Sequence, residues 1–109
     1  MILIKALLAK ICQRLLELDG LKYKSYTIAA NDTLTMTAVA GTRLKAITIS
    51  SNSAEKSEAI GSFISGSTNW SVVKTATNIT YGGTSTMTIR NASTRSVTVA
   101  LLIFTGGVS

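Results

Sequence analysis

The sequence predicts a mainly β chain, an antiparallel, jelly-roll-like β-sandwich preceded by one N-terminal amphipathic α-helix. Three observations lead there. Residues 2 to 18 are rich in helix-forming Leu, Ala, Lys, Gln, Arg and Glu. After Gly20, apolar residues recur at every second position in short runs. Turn-forming residues separate those runs at intervals of about 8 to 12 residues, the spacing of a sandwich or barrel. A chain of 109 residues accommodates one such domain. Residues 1–20 are therefore read as a helix and residues 21–109 as the β-sandwich head.

In the helix, Ile4, Leu8, Ile11, Leu15 and Leu18 step by four, three, four and three. This is a heptad seam, with Leu8 and Leu15 at one core position and Ile4, Ile11 and Leu18 at the other. Leu3, Leu7 and Leu16 widen the apolar arc beyond the seam, so the helix needs contact on more than one side. The seam is expected to hold subunits together. The alternative is that the helix covers a sheet of its own domain. Asp19-Gly20 supplies the stop, since glycine readily takes the left-handed conformation after a last turn. Lys5, Lys10 and Arg14 cut the apolar run that a secretory signal would keep uninterrupted, and the run is shorter than a membrane span, so the segment is expected to be part of the mature protein.

The β region follows in order. Tyr23 to Ala30 is a strand, and Asn31-Asp32 a tight turn. Thr33 to Val39 alternates hydroxyls with Leu34, Met36 and Ala38, a strand with one buried face. A turn at Ala40 to Thr42 leads to a strand over Arg43 to Ser50, with Ile47 and Ile49 on one face. Ser51 to Ser57 is a loop. Glu58 to Ser65 is a weaker strand interrupted by Gly61, Gly66 to Asn69 a loop, and Trp70 to Thr75 a strand. Asn78 to Tyr81, Gly82-Gly83 and Ser85 to Arg90 read as a hairpin. A turn over Asn91 to Thr94 precedes the strongest strand, Ser96 to Thr105. Its Val97, Val99, Leu101 and Ile103 share one face, and Ala100, Leu102 and Phe104 the other. A strand apolar on both faces is central in its sheet, or its outer face meets a neighbour.

Composition limits the chemistry. The chain has no histidine and one cysteine, which removes Ser-His and Cys-His nucleophile pairs and any internal disulfide. Cys12 sits among apolar residues as a small hydrophobe. The carboxylates Glu17, Asp19, Asp32, Glu55 and Glu58 are not placed as a pair flanking a cleft, nor as a calcium loop. No catalytic residues, metal or cofactor are expected, and the protein is read as a binding or assembly module. The net charge of +6 suits polyanionic partners. A nucleic-acid-binding β-barrel would want several aromatics on one basic face, whereas Tyr23 and Tyr26 fall on opposite faces of their strand. Trp70 and Tyr81 stand at loop edges, where an exposed ring can stack on a sugar while Asn69 offers hydrogen bonds. These three are the candidate glycan-binding residues, with burial of Trp70 in the core as the alternative.

The run Ile4-Lys5-Ala6-Leu7-Leu8-Ala9-Lys10-Ile11, followed by a Ser/Thr-rich alternating β region, resembles small structural proteins of tailed phages. Met87-Thr88-Ile89-Arg90-Asn91, leading into Ser96 to Phe104, is similar to the last strands of trimeric fibre heads. The resemblance covers most of the chain and supplies no functional motif, so no site residue carries over. It implies a virion protein: a homotrimer with a coiled-coil helical stalk under three β heads, bound to other virion proteins. It also implies that a host cell-surface polysaccharide is the attachment target. A capsid decoration or head-fibre protein binding the virion lattice is the rival expectation. Nucleic acid and membrane are not expected partners.

Overall fold

The computed structural model describes residues 21–109. The helix expected over residues 2–18, with its seam Ile4, Leu8, Ile11, Leu15 and Leu18, lies outside the described residues. The strands in chain order are β1 (Lys22–Ile28), β2 (Asp32–Met36), β3 (Thr42–Ile49), β4 (Ser57–Ile64), β5 (Ser67–Lys74), β6 (Ile79–Gly82), β7 (Met87–Asn91) and β8 (Val97–Thr105). A 3-10 turn, Ser53–Glu55, precedes β4. The strands form two antiparallel sheets, one of five strands in the order β1-β8-β3-β4-β5 and one of three in the order β2-β7-β6. The chain is mainly β, as the alternating pattern requires.

β8 explains the arrangement. It lies between β1 and β3, the central position its two apolar faces demand. Its Val97, Val99, Leu101 and Ile103 are all buried. They join Leu44 and Ala46 of β3 and Ile28 of β1 in one core cluster with Met36, Ile79, Met87 and Ile89 from the three-stranded sheet. Each of the Val, Leu, Ile and Met side chains among them stabilises the fold by about 1.5–3 kcal/mol when fully buried. The opposite residues of β8 and β3, Ala100, Leu102, Ile47 and Ile49, point away from this core. β3 therefore puts Leu44, Ala46 and Thr48 inside and its isoleucines outside.

Several boundaries differ from the sequence expectation: β1 ends at Ile28, β2 ends at Met36 and β7 takes in Asn91, and two further differences bear on the site. β5 begins at Ser67, inside the stretch read as a loop, because the chain reverses earlier, at Ser65-Gly66. Both residues have positive φ, 56° and 75°, so a two-residue hairpin turn pairs Ile64 with Ser67. Gly82 belongs to β6, and the β6–β7 hairpin closes through residues 83–86 rather than at Gly82-Gly83.

Polar side chains fix the turns. Asn91 is fully buried at the end of β7. Its Nδ2 donates to the carbonyls of Ile28 at 3.2 Å, Ala29 at 3.2 Å and Arg95 at 2.8 Å. Its Oδ1 accepts from Ser93 N at 3.0 Å and Ser93 Oγ at 2.6 Å. One amide thereby ties the β1–β2 turn to the β7–β8 turn.

Candidate functional site

Two features could meet a partner. The first is the aromatic pair expected from the sequence. The rings of Trp70 on β5 and Tyr81 on β6 lie 4.9 Å apart at 48°, across the gap between the two sheets. Trp70 fits there because its cross-strand partner is Gly61, which brings no side chain between the indole and β4. Trp70 Nε1 donates to Gly82 O at 2.9 Å. Tyr81 anchors a chain of hydroxyls. Thr48 Oγ1 donates to Glu55 O at 2.6 Å, so the Ser57 hydroxyl donates to Thr48 at 2.7 Å and accepts from Tyr81 OH, also at 2.7 Å. Burial pushes the Tyr81 hydroxyl above its ordinary pKa of 10.0, with the charge of Glu58 acting in the same direction and the hydroxyls of Ser57 and Thr48 opposing it.

Asn69 is not part of this cluster. It is the neighbour of Trp70 on a strand and so faces the other side of the sheet, in register with Ser62 and Arg43. The three residues expected to hold a glycan therefore do not share one surface. Trp70 and Tyr81 are together, half-buried, each with its polar atom bonded inside the protein.

The second feature is the outer face of the five-stranded sheet. The register aligns Tyr23, Leu102, Lys45 and Ile60 in one row across β1, β8, β3 and β4. The next row is Ser25, Ala100, Ile47 and Glu58. Tyr23 is 61% exposed, Ile49 55% and Ile60 47%. Lys45 interrupts the first row between Leu102 and Ile60, and Ser25 and Glu58 close the two ends of the second. Lys45 Nζ is 3.7 Å from Glu58 Oε2, and Lys74 stands opposite Glu58 on β5. A shallow depression of about 180 Å³ opens here, lined by Ile47, Ile49, Lys56, Glu58 and Lys74 among others. The one sequence signal for this face was the apolar second side of β8. Ile47 and Ile49 carried no mark of which way they point.

A third site was not anticipated. Glu55 is buried in the 3-10 turn. Its Oε1 is 3.6 Å from Arg95 Nε, and its Oε2 has no hydrogen-bond partner among the described residues.

Among the described residues, no group of three His, Cys, Asp or Glu side chains could hold a metal ion, and no helix is long and apolar enough to cross a membrane. The arrangement supplies surfaces for contact: an apolar patch beside the Lys45–Glu58 ion pair, and a partly closed aromatic pair. In the comparisons with known proteins, no family model, no curated relative and no solved structure matches this chain.

Proposed function

We propose that this chain is a structural protein of a tailed-phage virion, a homo-oligomeric, trimeric tail or fibre component whose β-sandwich forms the head. The observation that carries the reading is the outer face of the five-stranded sheet. Tyr23, Leu102, Ala100, Ile47 and Ile49 form an apolar patch on it beside the Lys45–Glu58 ion pair, and an exposed apolar patch rimmed by polar residues marks an interaction site. The seam Ile4, Leu8, Ile11, Leu15 and Leu18 adds a second apolar surface, one that joins subunits in this reading.

The sandwich takes a jelly-roll-like form in this reading. Support comes from nested pairing: β1 lies beside β8 and β2 beside β7, with β4 and β5 forming the inner hairpin. The sheet order departs from a full jelly roll at β3, which pairs with β4 and β8.

The geometry favours assembly over glycan attachment as the main role. Trp70 spends its N–H on Gly82, and Asn69 faces away from it. Attachment to host polysaccharide through Trp70 and Tyr81 would rest on ring contact at the open side of the pair.

Mass in solution tests the proposal. The full chain is expected to scatter light as a trimer, and the double variant Leu8→Asp, Leu15→Asp as a monomer. A full chain that is monomeric at all concentrations removes the assembly reading. Pull-down on host cell-wall material against pull-down on virion capsids separates a tail component from the capsid-decoration alternative.

A further inference from the structure

We infer that the β3–β4–β5 half of the outer sheet face binds an acidic polysaccharide, one whose sugars carry carboxylates. The inference deepens the attachment side of the proposed function. It rests on that reading for one point, that the polymer belongs to a host surface.

The outer face has two unlike halves. Over β1 and β8 it presents Tyr23, Ala100 and Leu102. Over β3, β4 and β5 it is polar and basic. Leu44 and Ala46 are fully buried, so Arg43 and Lys45 project outward by the alternation of a strand. Arg43 is in register with Ser62, and Ser62 with Asn69. Lys45 is in register with Ile60, and Ile60 with Ser71. Glu58 and Lys74 pair in the next row. Lys56 stands beside them, on the rim of the depression of about 180 Å³. Each row crosses two strand spacings, about 10 Å, and successive rows are about 6.7 Å apart.

Charge selects an anionic occupant. Arg43, Lys45, Lys56 and Lys74 meet one carboxylate here, that of Glu58. The other acidic side chains of the described residues are elsewhere: Asp32 is on β2, and Glu55 is buried. Glu58 is already engaged, 3.7 Å from Lys45 Nζ. Among the described residues, Arg43, Lys56 and Lys74 have no carboxylate at ion-pair distance.

The neutral groups select the kind of polymer. Asn69 and Ser62 lie in the row of Arg43, and Ser71 in the row of Lys45. An amide and two hydroxyls donate to sugar hydroxyls and accept from them. The guanidinium of Arg43 matches a carboxylate with two parallel bonds. Ile60 is 47% exposed, and Ile47 walls the depression, so the C–H faces of sugar rings have an apolar seat. A single-stranded nucleic acid would want aromatic rings set among the cations. The exposed rings Tyr23 and Phe104 belong to β1 and β8, and Trp70 and Phe63 pack against the core. Asn69 thus serves a glycan beside Arg43 and not beside Trp70.

Binding of the full chain to three uronate polymers, polygalacturonate, alginate and hyaluronate, tests the inference. The salt is about 0.15 M, where screening limits attraction between exposed charges to about 8 Å. At least one polymer is expected to bind. Its methyl ester, poly-L-glutamate and a thymidine oligonucleotide are each expected to bind at least about tenfold more weakly. Arg43→Gln with Lys74→Gln should lower affinity about tenfold or more. Lys22→Gln with Arg90→Gln removes the same charge outside this half and should change affinity little. Asn69→Ala should weaken binding with no change of charge. Circular dichroism checks the sheet in each variant. Failure to bind any of the three polymers would overturn the inference. So would equal losses in the two double variants, or poly-L-glutamate or the oligonucleotide binding as tightly as the uronate. A chain that light scattering reads as a monomer and that binds a uronate polymer upholds the inference while the assembly reading fails. A trimer that binds none leaves assembly standing and overturns the inference.

Discussion

Trp70 on β5 rests against Gly61 on β4 so closely that a Cβ on Gly61 would stand 2.5 Å from Trp70 Cζ3. The two are cross-strand partners, and the indole occupies the space where a Gly61 side chain would project. Gly61→Ala therefore forces out a rigid ring, and overpacking of this kind costs about 1–3 kcal/mol. Urea unfolding should show a lower midpoint with an unchanged slope. The native tryptophan emission should move to longer wavelength as Trp70 gains water.

Asn91 makes five hydrogen bonds and has no exposed surface. Asn91→Ala removes all five bonds, although Ala29 O keeps Asp32 N and Arg95 O keeps Ser93 Oγ. Unsatisfied buried groups cost about 1–3 kcal/mol each, partly recovered where water enters. A net loss of about 3 kcal/mol is expected, read as a fall in melting temperature of about 10–20 °C for a domain of this size. Asn91→Asp should be almost as harmful, because a carboxylate cannot donate to the carbonyls of Ile28, Ala29 and Arg95.

These two residues also mark what the sequence made legible. The alternation of Val97 to Ile103 was enough to find the central strand and its core face. The turn at Asn31 was equally plain, since Asn tolerates the φ of 56° found there. Asn91 was legible only as a turn residue, because a buried hub and an exposed Asx turn begin with the same letters. Gly61 weakened the reading of β4, although it is there to seat Trp70. Ser57 read as the end of a polar loop and Thr48 drew no reading of its own, yet both are buried, their polarity hidden by bonding to each other and to Glu55 O. The contact between Trp70 and Tyr81 joins different sheets, and no local spacing encodes that.

Tyr81 predicts a pH effect. Its pKa is raised in the folded protein, chiefly by burial. The folded state therefore keeps this proton at pH values where the unfolded chain releases it. The contribution to stability is complete below about pH 10 and is lost as pH rises through the folded value. Unfolding free energies measured from pH 8 to pH 11 should fall at the alkaline end. Tyr81→Phe should be less stable at pH 8, having lost the bond to Ser57, but should show a shallower alkaline decline. Parallel curves for the two chains would reject the assignment.

Glu55 and Arg95 should respond unequally to mutation. The carboxylate is buried, whereas the Arg95 side chain is 57% exposed. Arg95→Gln leaves a buried charge with one oxygen already unpartnered among the described residues, at a cost of about 1–3 kcal/mol. Glu55→Gln removes the buried charge and leaves a guanidinium that water can solvate, so its cost should be smaller. Unfolding midpoints of both variants and of the double variant measure the asymmetry. A larger loss for Glu55→Gln than for Arg95→Gln would reverse the account.

The Ser65-Gly66 turn separates backbone from packing effects. Both residues have positive φ, and nothing lies within 4 Å of where a Gly66 Cβ would project. Gly66→Ala therefore meets no clash, and its cost is conformational alone, about 1 kcal/mol. Ser65 occupies the first central position of the same turn, where Asn is better suited than Ser to a left-handed conformation. Ser65→Asn should stabilise the β4–β5 hairpin by a few tenths of a kcal/mol. The opposite signs of the two substitutions, at adjacent exposed positions, should appear as opposite shifts of the urea midpoint. They follow from φ alone, since the pair hold the register of Ile64 with Ser67 through the backbone.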